Sequence, residues 1–279
     1  MLRSLAAAVA LLLASCGTTY NVPVTGQPPT PVAAPATGMP RAAPLAPAGT
    51  RPYAQARADW SRVVARVEPI AERFCREENP TRPPRHCDFT IRLVENARMP
   101  PNAYQTIGDD GRPLLVMTST LLADTRNADE IAFVLSHEAS HHIAGHLARQ
   151  QANVMVGALI LGTLASATIA PGTDRAQSDR IISDARGLGA FAGSRVYSQS
   201  FELEADTLGA FIAARSGYSP QTGAIMFTRT PSASGPASLW STHPPSPQRQ
   251  AVVNRAAAEI RRQQALGQAP RPALARGRL

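Results

Sequence analysis

Apolar residues recur at Trp60, Val63, Val64, Val67, Ile70 and Phe74, the spacing of one helix face, so an amphipathic helix is expected from about Tyr53 onward. Phe89-Thr-Ile-Arg-Leu-Val94 alternates with a period of two, as a half-buried strand does. The turn signal Asp109-Asp110-Gly111 precedes a second strand, Leu114-Leu-Val-Met117. Asn127 and Glu130 stand as helix cap and third helical residue, a pair that satisfies orphan backbone N–H groups, and open a helix expected over residues 128–149. A further helix is expected over residues 194–216, closed by Gly217. Ser219-Pro220 opens another, and Ser246-Pro247 the last, to about Leu266. Helices outweigh strands and no internal repeat is present, which points to an α+β domain with a small sheet.

The ends read differently. Met1-Leu2-Arg3-Ser4 is a short positive stretch, followed by an apolar run from Leu5 to Ala14 that is too short for a permanent membrane span. Leu13-Ala14-Ser15-Cys16 then resembles a bacterial lipobox, whose Cys is lipidated and becomes the first mature residue; the alternative is an ordinary secretory signal. Gly17 after Cys16 resembles the default sorting signal for the outer membrane, so a lipid-anchored location there, facing the periplasm, is expected. Residues 17–50 hold no acid and are rich in Pro, Ala, Thr and Gly. The expected organisation is a signal peptide over 1–15, a Pro/Ala-rich tether over 16–52, one folded domain over 53–266 and a disordered tail over 267–279.

With 279 residues, 44% hydrophobic and 17% charged, the chain is long enough for a real core, and its composition excludes a polytopic membrane protein, a coiled coil and a collagen. The net charge of +8 comes entirely from Arg over Asp and Glu, since no Lys is present. Those Arg residues are dispersed, with no basic stripe, so nucleic acid is not an expected partner. Export places Cys75 and Cys87 in an oxidising compartment, where they read as a disulfide; two buried free thiols are the alternative.

His137-Glu138-Ala139-Ser140-His141 carries the chemistry. On a helix, residues four apart lie on one face, so two imidazoles can hold one zinc while the Glu between them acts as general base toward a water. The extended His-x-x-Gly-x-x-His continuation is absent, because Ala144 and Leu147 occupy its positions. A hydrolytic zinc needs a third protein ligand and an open position. Glu202 and Asp206 share a face of the next long helix. Glu202 is the candidate ligand, and Asp206 the candidate acceptor that fixes the tautomer of a ligand imidazole. Glu204 reads as an acid decorating that helix.

In these blocks the chain resembles the gluzincin endopeptidases of peptidase family forty-eight, the HtpX-type heat-shock proteases and CAAX prenyl proteases, and within them the periplasmic lipoprotein branch. Pro101-Asn102-Ala103-Tyr104 resembles the family's edge-strand block, residues 115–122 the strand and short helix after it, and Ser241-Thr242-His243-Pro244-Pro245 with Arg249 its late His-Pro block. The resemblance covers roughly residues 55–260, and lacks the C-terminal repeats of some relatives. It implies a zincin-like, mainly helical α+β fold with one Zn2+ per chain on His137, His141 and Glu202, and Glu138 as the catalytic base. It also implies a substrate strand added at Asn102, Ala103 and Tyr104, and supporting roles for Asp206 and Arg249. His243 has two readings beside plain packing: a donor to the reaction oxyanion, or a resting occupant of the open zinc position. The implied function is cleavage of misfolded or unassembled envelope proteins; the alternative is a non-proteolytic assembly factor or chaperone for outer-membrane proteins. Glu138 separates these, since a scaffold needs no general base.

Residues 154–170 carry no charge. They lie between the His pair and Glu202, so a single crossing would place ligands of one zinc on opposite sides of a membrane. A lid or membrane-dipping segment is expected there, with a buried core helix as the alternative.

Overall fold

The computed structural model describes residues 20–21, 51–195, 198–229 and 238–274, and the expected lipidation site Cys16 lies outside them. The described residues fall into two compact units, one within residues 20–144 and 202–274, the other within residues 145–201.

The larger unit begins with α1 (Tyr53–Glu78), whose buried stripe includes Trp60, Val63, Val67, Ala71 and Phe74. The Cys75–Cys87 disulfide, with Cα atoms 5.5 Å apart, ties the end of α1 to the 3-10 turn Pro84–Cys87. Three strands follow: β2 (Thr90–Val94), β3 (Ala103–Ile107) and β4 (Pro113–Thr118). Their order is β2-β4-β3, with β2 parallel to β4 and β3 antiparallel to it. The strand pair Ala103↔Met117 to Ile107↔Pro113 closes through Gly111, whose φ of 75° needs a residue without Cβ strain. A separate pair, β1 (Tyr20–Asn21) and β5 (Ala273–Leu274), is antiparallel.

After the short α2 (Ser119–Asp124) comes α3 (Ala128–Ile143), the centre of the unit. Asn127 Oδ1 accepts the Glu130 N–H at 3.0 Å, and Glu130 Oε2 accepts the Arg126 N–H at 2.7 Å. Glu130 is buried and its charge is matched by Arg229 at 2.8 Å. From Glu130 to Ile143 every residue of α3 is buried, because α1, α7 (Pro220–Ala224) and strands β3 and β4 pack around it. Such a helix is apolar on more than one face, with Ile131, Phe133, Val134 and Leu135 all inside. Burying a side chain of that size stabilises by ~1.5–3 kcal/mol.

The helix expected over residues 128–149 is in fact two. Gly145 adopts φ 68°, the left-handed conformation that ends a helix cheaply only for glycine, and α3 stops at Ile143. α6 (Ser198–Arg215) is followed by Gly217 at φ 84°. Ser219 caps α7 through the Thr222 N–H, then come the 3-10 turn Ile225–Thr228 and α8 (Leu239–Thr242). Ser246 caps α9 (Pro247–Ala265) through the Gln248 N–H.

The smaller unit is a pair of long helices, α4 (His146–Thr168) and α5 (Arg175–Arg195), packed on each other. Phe201 stacks on His146 with ring centroids 4.4 Å apart, and Arg149 lies over the same ring. The buried-core alternative for residues 154–170 does not hold: Met155 is 72% exposed and Leu159 68%.

Candidate metal centre

α3 presents His137, Glu138 and His141 from the middle of the larger unit, where they are 0%, 1% and 8% exposed. α6 comes against them at Gly209. A Cβ there would sit 3.1 Å from the His137 nitrogen and 3.2 Å from its Cα, so the missing side chain is what lets the helices approach. That approach brings Glu202 and Asp206, one turn apart on α6, onto the imidazoles.

The donor atoms converge. His137 Nε2 lies 3.0 Å from His141 Nε2 and 3.3 Å from Glu202 Oε2, and His141 Nε2 is 3.4 Å from Glu202 Oε1. His243, at the end of α8, brings Nδ1 to 3.2 Å from His137 Nε2 and 2.9 Å from Glu202 Oε2. A tetrahedral zinc with bonds of about 2.0–2.1 Å has ligand–ligand edges of roughly 3.3 Å. The donor set therefore fits such an ion, with His137, His141, Glu202 and His243 within 4.8 Å of one another. Charge agrees: with the imidazoles neutral, as metal ligation requires, buried Glu138, Glu202 and Asp206 face one buried guanidinium, Arg249, leaving two negative charges for a divalent cation. Glu138 Oε1 is buried and accepts no hydrogen bond, though His243 Nε2 is 3.4 Å away.

Asp206 Oδ1 is 3.0 Å from His137 Nδ1, so the carboxylate accepts that N–H and leaves the Nε2 lone pair for the cluster. Arg249 holds Asp206 with two hydrogen bonds of 2.7 Å and donates a third, of 3.2 Å, to the His243 carbonyl. Burial alone would lower the His137 pKa, but hydrogen bonds to Asp206 and Glu202 outweigh it and hold it at about 9. Burial would raise Glu202, yet the imidazoles of His243, His141 and His137 pull it well below the usual carboxylate range. Both shifts report one cause: anionic groups that draw positive charge into a dry site.

Phe227 was not legible as part of this site. It lies under Arg249, 3.8 Å from ring centroid to guanidinium carbon, and against His137 at 5.1 Å between rings. Nothing in its sequence context marks it. Gly209 did carry a signal, since glycine inside a helix costs ~1 kcal/mol and invites a packing explanation. Glu204, read as a decorating acid, is instead 2% exposed.

The far end of α3 is also held. His142 Nε2 donates to the His86 carbonyl at 2.7 Å, and Asn79 Nδ2 donates to the Ile143 carbonyl at 3.2 Å. Burial lowers the His142 pKa to about 4, so this ring is neutral. Cys75, His86 and His142 form a second donor cluster, but the Cys75 sulfur is committed to the disulfide.

At the sheet, Asn102 exchanges hydrogen bonds of 2.9 Å with Thr118, and Ala103 begins β3 with its side chain in the core. Tyr104 is the one of these three whose side chain is exposed, at 38%. Among the described residues the outer edge of β3 pairs with no strand. The segment leading to His243 docks beside it, with the Leu239 N–H on the Pro101 carbonyl at 2.8 Å.

Comparison with known proteins bears on this arrangement. A beta-barrel assembly-enhancing protease of Yersinia pestis is 29% identical over 160 residues, covering 56% of this chain and 30% of that protein's length. The model of Peptidase family M48 matches residues 62–257, well over half of the chain. With its buried His-and-Glu centre on a mainly helical α+β fold, the chain belongs to peptidase family M48 and is a metallopeptidase.

Proposed function

We propose that this protein is a zinc endopeptidase that cuts misfolded or unassembled proteins of the bacterial envelope, working from a lipid anchor at Cys16, at the outer membrane facing the periplasm. The observation that carries the catalytic part is the buried Glu138 carboxylate, 1% exposed, set between His137 and His141, whose ring nitrogens converge with Glu202. The name of the Yersinia pestis relative, with its reference to β-barrel assembly, supports the envelope part.

Zinc, when bound, supplies Lewis acidity to a water and to the scissile carbonyl. His137, His141 and Glu202 would hold the ion, one per chain. Asp206 keeps the His137 proton on Nδ1, and Arg249 keeps Asp206 in place. Glu138 takes a proton from the attacking water onto its carboxylate and returns it to the leaving amine nitrogen. The outer edge of β3, unpaired among the described residues, receives substrate as an added strand through backbone hydrogen bonds, with Asn102, Ala103 and Tyr104 at its start. Recognition through backbone tolerates many sequences, which suits unfolded chains.

For His243 the geometry favours the resting-ligand reading over oxyanion donation. Its Nδ1 points at Glu202 and His137, among the ligand atoms themselves. Departure of His243 would open space beside the donor atoms of His137 and Glu202. The segment's docking at Pro101 lets arrival of a substrate strand and departure of His243 be coupled.

The test is cleavage of an unfolded protein such as casein by wild type and Glu138→Gln. The variant keeps the shape of the side chain and cannot take the proton. Expected are retained zinc and abolished cleavage. Full proteolysis by Glu138→Gln would refute the mechanism, and intact client binding without cleavage by wild type would favour the assembly-factor reading.

A further inference from the structure

α4 carries a surface that the proposed chemistry does not use. The helix is 23 residues long and apolar enough to cross a bilayer, yet only 11% of its apolar stretch is buried. One side is occupied. Asn153 is buried, and a Cβ on Gly189 of α5 would lie 2.1 Å from the Gly157 carbonyl oxygen, while Gly162, at the border of the opposite side, is covered by the Arg186 side chain. Backbone contact through small residues is the packing that helices use in lipid as well as in water. The other side is a stripe of Ala148, Ala152, Met155, Leu159, Thr163 and Ser166, at steps of three and four residues, all exposed and none charged. No charged residue occurs anywhere over residues 150–173. The water-facing side of a soluble helix is normally charged or strongly polar.

Crossing a membrane is excluded by two observations. His141 Nε2 and Glu202 Oε1, on either side of the excursion, lie 3.4 Å apart, so the chain leaves and returns on one side. The return helix α5 carries Arg175, Asp179, Arg180, Asp184 and Arg186, which a hydrocarbon core rejects. A helix with an exposed, uncharged face, joined to one too charged for the bilayer centre, fits the boundary between headgroups and acyl chains.

We propose that the outer stripe of α4, centred on Met155 and Leu159, beds into the headgroup–acyl boundary of a phospholipid bilayer. Two features favour lipid over a protein partner. Residues 145–201 hold five Arg against three Asp, a balance that suits anionic headgroups. The expected anchor at Cys16 keeps a bilayer within reach, since the 17–50 stretch spans at most ~100 Å at about 3.1 Å per residue. This second argument rests on the lipoprotein reading, so the test removes the acyl group.

The experiment is flotation of the processed chain, from residue 16 and carrying Cys16→Ala, with vesicles of phosphatidylethanolamine and phosphatidylglycerol. The unacylated chain is expected to float with the vesicles. Met155→Glu with Leu159→Glu should reduce partitioning by tenfold or more, with thermal unfolding and zinc content unchanged. Met155→Gln with Leu159→Gln, which adds no charge, should give an intermediate loss and covers the case that two Glu residues unfold the hairpin. Several results would overturn the proposal: no flotation of the unacylated chain, equal flotation of all variants, or binding that vanishes in high salt and ignores residues 155 and 159. Self-association of wild type in sedimentation, lost in the variants and unaccompanied by vesicle binding, would assign the stripe to a second copy. Failure of acylation at Cys16 in cells would remove the anchor without touching these outcomes.

Discussion

Asp206→Asn separates what holds the fold from what prepares the metal site. Asp206 is 1% exposed and stands between two partners, His137 Nδ1 at 3.0 Å and the Arg249 guanidinium, held by two hydrogen bonds of 2.7 Å. Asn keeps the shape and removes the charge. Arg249, 2% exposed, is then left without its main counter-ion. Removing one partner of a buried pair costs ~3–5 kcal/mol because the other charge stays buried. Glu202, 3.4 Å from Arg249 Nη1, offsets part of this, so the lower half of that range is expected. A loss of 3 kcal/mol lowers Tm by roughly 6–12 °C in a domain of this size. His137 also loses the carboxylate that fixes its tautomer, which costs about 10–100-fold in metal affinity. Urea unfolding of the metal-free protein reads the first effect, and chelator competition reads the second. The pairing Asp206→Leu with Arg249→Met replaces the ions by apolar groups of similar size and should restore much of the stability while leaving metal affinity low. A loss under 1 kcal/mol for Asp206→Asn, or joint recovery of stability and metal affinity in the double variant, would refute the two roles assigned to Asp206.

Other outcomes follow from the same geometry. His243→Ala should raise basal cleavage of an unfolded substrate; a fall in kcat of ~10²-fold would instead make His243 an oxyanion donor. Replacing Cys75 and Cys87 by Ala should lower stability by about 3 kcal/mol, the chain-entropy value for a loop of this length, and unchanged urea unfolding would show that the loop constrains nothing. Glu77 is held below the usual carboxylate range by hydrogen bonds from Arg215, against which burial acts. Its contribution is therefore present above the unfolded carboxylate pKa and lost as pH falls through the lower folded value. Glu77→Gln should cost roughly 1 kcal/mol or less near neutrality, since the pair is partly solvated, and the gap from wild type should close in acid. A gap that widens as pH falls would contradict the assignment.

Local signals were legible, and contacts between distant segments were not. The cap at Asn127, the openings at Ser219 and Ser246 and the four-residue steps from His137 to His141 and from Glu202 to Asp206 depend on neighbours within one turn. The end of α3 was missed because the residues after Gly145, His146-Leu147-Ala148-Arg149, continue a good helical pattern, so one left-handed glycine divides two helices. α5 is not legible from its local pattern. Its Ser, Asp and Gly residues, with Gly187 and Gly189 in its second half, read as a poor helix, and the helix is supported by packing on α4. Phe227 reaches His137 from 90 positions away in the chain. Burial of Glu204 likewise depends on what α6 packs against, which helical spacing alone does not reveal.

The central claim is that one zinc sits among His137, His141, Glu202 and His243. X-ray absorption of the purified, unreduced protein, with metal quantified in the same sample, tests it most directly. The account predicts about one zinc per chain, with a first shell of nitrogen and oxygen at about 2.0–2.1 Å and no sulfur, lost in His137→Ala and retained in Glu138→Gln. A sulfur scatterer in the first shell, or a chain that folds and cuts protein without metal, would contradict the account.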